Sequence, residues 1–246
     1  MVPGRHRETV FDTSLVILLM FALVFQMIVP SAGTKAADTA SVWHLAGQKI
    51  QNISYTDGAT NGTIMVNVGT RGAVAISKDL VHWESIDQFT SKDLYGICWG
   101  AGRYVAVGDE GTLYASTDGR TWDDQETSAD VGLAGVAYGG GVYVAVGVDG
   151  TIVRSTDGLA WTVSTAPVDK NLYHITWGNG RFVAVGQDGA IITSADGITW
   201  QDRTFAAQED LYSVAWGKDK FVAAGGGSLI LTSSDGLTWT RQEAAY

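Results

Sequence analysis

The sequence is poor in several things that direct chemistry or restrain a chain. It holds one cysteine, Cys98, among 246 residues. That excludes an intrachain disulfide, a cysteine-cluster metal site and a CxxC redox motif. Proline occurs three times, so neither a collagen-like nor a proline-rich extended chain is open to it. Basic side chains number 16 against 26 acidic ones. From residue 38 onward the balance is 13 against 24, a net charge of −11. Such a surface repels phosphate backbones, so nucleic acid is excluded as a partner, whereas cationic partners are attracted. No segment after residue 40 carries a 3.6-residue apolar period, which argues against helices.

Glycine, by contrast, is abundant, at 31 residues, and 46% of the chain is hydrophobic. That combination suits a well-buried fold with many tight turns. The longest apolar run, Leu15–Val29, follows Arg5, His6 and Arg7 and precedes small residues around Ala32 and Ala36. This order is that of a secretory signal peptide over residues 1–36. The run is shorter than the roughly 20 residues of a comfortable membrane span, with a retained N-terminal anchor as the alternative. The expected location is therefore secreted or extracytoplasmic, at the cell surface if the segment is not cleaved. The membrane would then be met only through that segment. Residues 37–44 read as a linker with a possible extra strand.

The decisive feature is repetition. Trp83, Trp122, Trp161, Trp200 and Trp239 stand 39 residues apart without drift. They close the segments SKDLVHW, STDGRTW, STDGLAW, SADGITW and SSDGLTW. A second block, from LYGICWGAGRYVAVG to LYSVAWGKDKFVAAG, recurs upstream in the last four copies. The first copy is looser, and IQNISYTDGATNGTIMVNVG is read with about five extra residues before VNVG. Each copy divides into four short apolar runs, a to d, between Gly/Asp turns, with strand d opening at the Trp. Four strands per ~40 residues, repeated, specify an all-β β-propeller of five four-stranded blades. The expected blades are about 45–93, 94–132, 133–171, 172–210 and 211–246, in one closed ring over 45–246. Trp43, 40 residues before Trp83, fits no vacant place in that ring.

In the turn between strands c and d, an Asp can accept backbone N–H groups and a following Gly can take positive φ. The first copy breaks this rule with Leu80, and its turn is expected to be strained. The segment S-x-D-G-x-[T/A]-W resembles, one residue shortened, the Asp-box (BNR) repeat of sialidase-type, sortilin-type and photosystem II assembly-factor-like propellers. The resemblance covers residues 50–246. It implies a propeller, with Asp79, Asp118, Asp157, Asp196 and Asp235 and the five Trp as structural residues. It implies hydrolases, receptors and assembly factors alike as functions.

Residues present in every copy are architecture, so a site is sought where the copies differ. His174 lies on an inner strand, in a slot read as Asn52, Gly96, Gly135 and Ser213 elsewhere. Cys98 fills a slot read as Ser54, Ala137, Thr176 and Ala215, as a small core residue. Tyr55 is aligned with Trp99, Tyr138, Trp177 and Trp216. Arg103 and Arg181 share one repeat position and do not form an arginine triad. No regular copy has an insertion long enough for a catalytic loop. No catalytic residue, metal site or cofactor is therefore expected. The b–c and d–a loops share one side of the ring and are rich in acids. Tyr95, Tyr173 and Tyr212 begin inner strands there, with His174 beside them. Aromatics beside acids could bind a sugar chain or grip a basic peptide. The expectation is a monomeric, exported, non-catalytic scaffold for a glycan or protein (peptide) partner. A sialidase-like glycoside hydrolase is the alternative.

Overall fold

The computed structural model describes residues 53–242. The proposed signal, the linker and Trp43 lie outside them. The described residues form five four-stranded antiparallel sheets, each in the order a-b-c-d. Blade one comprises β1 (Tyr55–Thr60), β2 (Met65–Gly69), β3 (Val74–Ser77) and β4 (Trp83–Ile86). Blade two is β5 (Leu94–Gly100), β6 (Arg103–Gly108), β7 (Leu113–Ser116) and β8 (Asp123–Asp124). Blade three is β9 (Leu133–Gly139), β10 (Val142–Gly147), β11 (Thr151–Ser155) and β12 (Thr162–Thr165). Blade four is β13 (Leu172–Gly178), β14 (Arg181–Gly186), β15 (Ile191–Ser194) and β16 (Gln201–Asp202). Blade five is β17 (Leu211–Gly217), β18 (Lys220–Gly225), β19 (Ile230–Ser233) and β20 (Thr240–Arg241). The chain is an all-β propeller of five blades. Strand d begins at the Trp only in blade one and one residue later elsewhere.

Strands b and c of blades two to four are almost wholly buried, as in Val105–Val107 and Val144–Val146, because each of these blades packs between two others. At the ends of the inner strands β5, β9 and β13 a glycine accepts the next blade's aromatic ring. A Cβ on Gly100 would lie 2.0 Å from Tyr138, one on Gly139 2.0 Å from Trp177, and one on Gly178 2.2 Å from Trp216. The same aromatics face strand b of their own blade. Ring centroids are 4.5 Å apart for Trp99–Tyr104, 4.6 Å for Tyr138–Tyr143 and 4.6 Å for Trp177–Phe182.

The c–d turns follow one hydrogen-bond scheme. In blade three, Gly158 N–H donates to Ser155 Oγ at 2.8 Å. Leu159 and Ala160 N–H donate to Asp157 Oδ1 at 2.9 and 3.0 Å. Asp79, Asp118, Asp196 and Asp235 accept in the same way. These backbone donors hold the Asp157 carboxyl down at about 2. The glycine has φ of 70–74° in blades two to five. Leu80 takes φ 63° in its place, the strain expected of the first copy, and is 39% exposed. In blade two the Trp122 indole N–H closes the turn on the Gly119 carbonyl at 3.0 Å.

Two expectations are corrected. Blade one has no extra residues: Gly69 pairs with Tyr55 as Gly108 pairs with Leu94, so the 39-residue spacing runs unbroken back to Tyr55. Tyr55 therefore matches Leu94, and Thr60, not Tyr55, stands opposite the aromatics. Asp57 rather than Asn52 occupies the His174 slot, and Ala59 rather than Ser54 the Cys98 slot. The error came from matching an aromatic where blade one has none. The second concerns closure. The inner strands pack in succession, β1 on β5, β5 on β9, β9 on β13 and β13 on β17. β17 and β1 do not pack on each other in that manner, so the described strands alone do not draw the closed ring.

Candidate binding face

The strand order places every b–c turn and every d–a loop at one end of the blades. Each b–c connection is a single 3-10 turn: Thr70–Gly72, Asp109–Gly111, Val148–Gly150, Gln187–Gly189 and Gly226–Ser228. Its first N–H bonds the carbonyl that precedes strand a of the same blade, as Asp109 to Asp93 at 3.0 Å and Gln187 to Asn171 at 2.9 Å. Its middle residue takes left-handed φ, 57° at Arg71, 52° at Glu110 and Asp149, and 51° at Asp188.

That left-handed residue presents its N–H to the next blade. Arg71 N–H donates to Asp93 Oδ1 at 2.7 Å, Asp149 N–H to Asn171 Oδ1 at 2.9 Å and Asp188 N–H to Asp210 Oδ1 at 2.9 Å. The loop acids include staples between blades, a task that a reading of them as plain solvated surface missed. Only Gly132 at this repeat position lacks a side chain to accept. Within blades two and four, Lys92 pairs with Glu110 and Lys170 with Asp188.

The three tyrosines reach this face through a bulge. Strand register shifts between Leu94 and Gly96, Leu172 and His174, and Leu211 and Ser213, so Tyr95, Tyr173 and Tyr212 are the bulged residues. A bulge re-aims its extra side chain away from the regular pleat. Blades one and three carry Thr56 and Ala134 there. Tyr95 is 37% and Tyr212 39% exposed. Tyr95 donates its hydroxyl to Asp109 Oδ1 at 2.7 Å. Tyr173 donates to Asp210 Oδ2 at 3.4 Å, and its ring lies 6.1 Å from that of Tyr212 at 32°. Burial, then the Asp210 charge, pushes the Tyr173 phenol up to about 12.

His174 does not join them. Its Nδ1 accepts the Val214 N–H of the next inner strand at 3.5 Å, and burial lowers its pKa. Asp57, at the same repeat position, accepts the Ile97 N–H at 2.9 Å with Oδ2 and the Gly58 N–H at 2.8 Å with Oδ1. Burial pushes its carboxyl up to about 6 despite those donors. Slot 57/96/135/174/213 is thus a seam between inner strands, closed by backbone contact at Gly96 and Gly135. Burial raises the Cys98 thiol, with a further push from Asp57, so Cys98 is an inert core group.

The connections at this end carry eleven carboxylates and four cations, against six and three at the a–b and c–d end. Five of those six carboxylates already accept turn N–H groups. At that opposite end a cavity of about 150 Å³ lies beside Arg181, Asp196 and Gln201. It is small for a cofactor-sized ligand. Among the described residues, no group of three or more His, Cys, Asp or Glu has metal-holding geometry, and no helix is long and apolar enough to cross a membrane.

No family model and no curated protein matches the sequence. Solved propellers do match by shape. "YCF48 bound to D1 peptide" is 18% identical, with a TM-score of 0.59, covering 77% of this chain and 66% of that one. YCF48 from Cyanidioschyzon merolae is 16% identical, with a TM-score of 0.58, covering 78% and 72%. The WD40 β-propeller domain of Doa1 is 13% identical, with a TM-score of 0.63, covering 81% and 69%. At these identities the likeness is one of fold, and the chain spans about two thirds of the length of the propellers it matches.

Proposed function

We propose that this chain is an exported, non-catalytic binding or assembly scaffold that holds a basic peptide segment of a protein partner on its b–c/d–a face. The observation that carries the reading is the coincidence, on one face, of bulge-presented tyrosines with an excess of carboxylates. Exposed Tyr supplies flat apolar contact with a polar tip, and the surrounding charge attracts and orients a cationic chain. A solved propeller of similar fold, YCF48 bound to D1 peptide, supports a peptide as the class of partner. The c–d turns support a scaffold on the Asp-box plan, because their carboxylates are taken up by backbone N–H groups. The N-terminal basic and apolar segment supports export.

The test is a titration of the full chain with fluorescein-labelled peptides of equal length, one Arg/Lys-rich, one neutral and one acidic. Binding of the basic peptide should weaken as salt rises, and Tyr173→Ala/Tyr212→Ala should weaken it at least tenfold. A glycan array and a panel of aryl glycosides run on the same protein complete it. Salt-insensitive glycan binding lost in the double variant would replace the peptide by a sugar. Turnover of an aryl glycoside abolished by one acidic substitution would replace the scaffold by a glycosidase.

A further inference from the structure

Blade five departs from the plan of blades two and four at one corner of this face. In blades two and four the position two residues before strand a is a lysine, Lys92 or Lys170. It pairs with the carboxylate at the tip of the b–c turn, Glu110 or Asp188. In blade five both partners change: the lysine position is Glu209 and the tip is Gly227. A carboxylate thus stands where the cation stood, and among the described residues no cation pairs with it. The residue that caps the bulged tyrosine changes as well. Tyr95 is capped by Asp109, fourteen residues on, whereas fourteen residues after Tyr212 comes Gly226. The Tyr212 hydroxyl consequently has no hydrogen-bond partner among the described residues, and the side chain is 39% exposed.

Geometry defines what this corner holds. A Cβ on Gly226 would sit 3.6 Å from the Tyr212 hydroxyl and 3.8 Å from Glu209 Cβ, which is ordinary contact. Gly226 itself has no left-handed φ, so a side chain there fills the space without backbone strain. The Glu209 carboxylate lies over Gly227, its Oε1 3.4 Å from where a Cβ would be. Tyr173 lies tilted behind Tyr212, the ring centroids 6.1 Å apart, and is tied to Asp210. The glycines therefore leave a notch with an aromatic wall and a carboxylate that no described cation pairs with, its Oε2 accepting the Gln208 N–H at 3.1 Å.

We infer that this notch, Tyr212, Glu209 and the bare Gly226–Gly227 backbone with Tyr173 behind, is a receptor for a single arginine side chain of the partner. Its guanidinium takes the place of the lysine that blades two and four supply internally. A planar guanidinium lies on the Tyr212 ring while its N–H groups reach the Glu209 carboxylate, a combination an ammonium group cannot match. The inference deepens the proposed peptide-binding reading and rests on it.

The probes are N-acetyl-arginine amide, its neutral isostere N-acetyl-citrulline amide and N-acetyl-lysine amide. They are titrated into the full chain while backbone amide shifts are followed by NMR. The arginine probe should move the amides of Tyr173, Glu209, Tyr212, Gly226 and Gly227, with lysine several-fold weaker and citrulline inert. Gly226→Gln, which restores the type of side chain blade four carries at Gln187, should weaken arginine at least tenfold while the rest of the spectrum is retained. Leu159→Ala, at an exposed c–d turn residue of the opposite end, should change nothing. Equal response to arginine and lysine spread over all the b–c turns, undiminished by Gly226→Gln, would overturn the notch and leave the acidic face standing. No response on this face to either cation would overturn both.

Discussion

At the residue scale, two side chains of blade one set opposite tests. Asp57 is a carboxylate sunk in the seam between β1 and β5, its carboxyl pushed up by burial to about 6 from an ordinary 3.8. The folded chain thus binds this proton more tightly than the unfolded one does. Its stabilising contribution is fully present below about pH 4 and is lost as pH rises through 6. A gap of about two units corresponds to roughly 3 kcal/mol. Asp57→Asn should therefore flatten the dependence of Tm on pH between 4 and 7, gaining on the parent as pH rises. An unchanged slope would contradict a desolvated Asp57 carboxyl in the seam. The turn carboxylates have the reverse sign: Asp157, held near 2, contributes above about pH 4 and loses that contribution on strong acidification. Leu80, left-handed at φ 63°, carries a strain of about 1–2 kcal/mol. Leu80→Gly should raise stability by about 0.5–1 kcal/mol in urea melts, after the entropic cost of glycine. The sequence made Leu80 legible because it broke a five-fold pattern. It hid Asp57 because blade one has Thr60 where every other copy has Trp or Tyr, so the aromatic at Tyr55 drew the alignment out of register.

At the element scale, the 39-residue Trp spacing and the SxDG turns were enough to give blade number, strand order and the face of each turn. What they could not give is how one blade grips the next. The Gly100, Gly139 and Gly178 contacts join a backbone to a ring 38 residues further on, and nothing local in a strand-ending glycine announces a partner. Gly139→Ala places a Cβ 2.0–2.6 Å from Trp177, on the root of a packed ring rather than a mobile tip. It should cost about 3 kcal/mol, the upper range for overpacking a filled core. An alanine at Gly141, whose Cβ would meet nothing within 4 Å, should cost only the strain of its φ of 84°. The polar staples were hidden for a different reason. Asp93, Asn171 and Asp210 look like the ordinary acids and amides of exposed loops until the left-handed N–H of the preceding blade is placed beside them. Asp93→Ala removes one such bond and should lower stability by about 1 kcal/mol.

At the scale of the whole domain, the two ends of the propeller differ in what their carboxylates are doing. At the c–d end the recurring Asp are occupied by turn N–H groups. At the b–c/d–a end acids outnumber cations by eleven to four, and the bulged tyrosines stand among them. The sequence pointed to this face and to Tyr95, Tyr173 and Tyr212. It did not separate Tyr95, capped by Asp109, from Tyr212, which no described residue caps, nor did it show His174 turned into the seam. Both distinctions depend on which backbone group a side chain meets across blades. The most direct test of the account is a hydrogen-exchange footprint of the full chain, free and saturated with the Arg/Lys-rich peptide. Protection is expected in residues 187–189, 209–213 and 226–228, with the c–d turns at 78–82, 117–121, 156–160 and 195–199 unchanged. Protection confined to those c–d turns, or to the lining of the Arg181 cavity, would place the partner at the opposite end and contradict it.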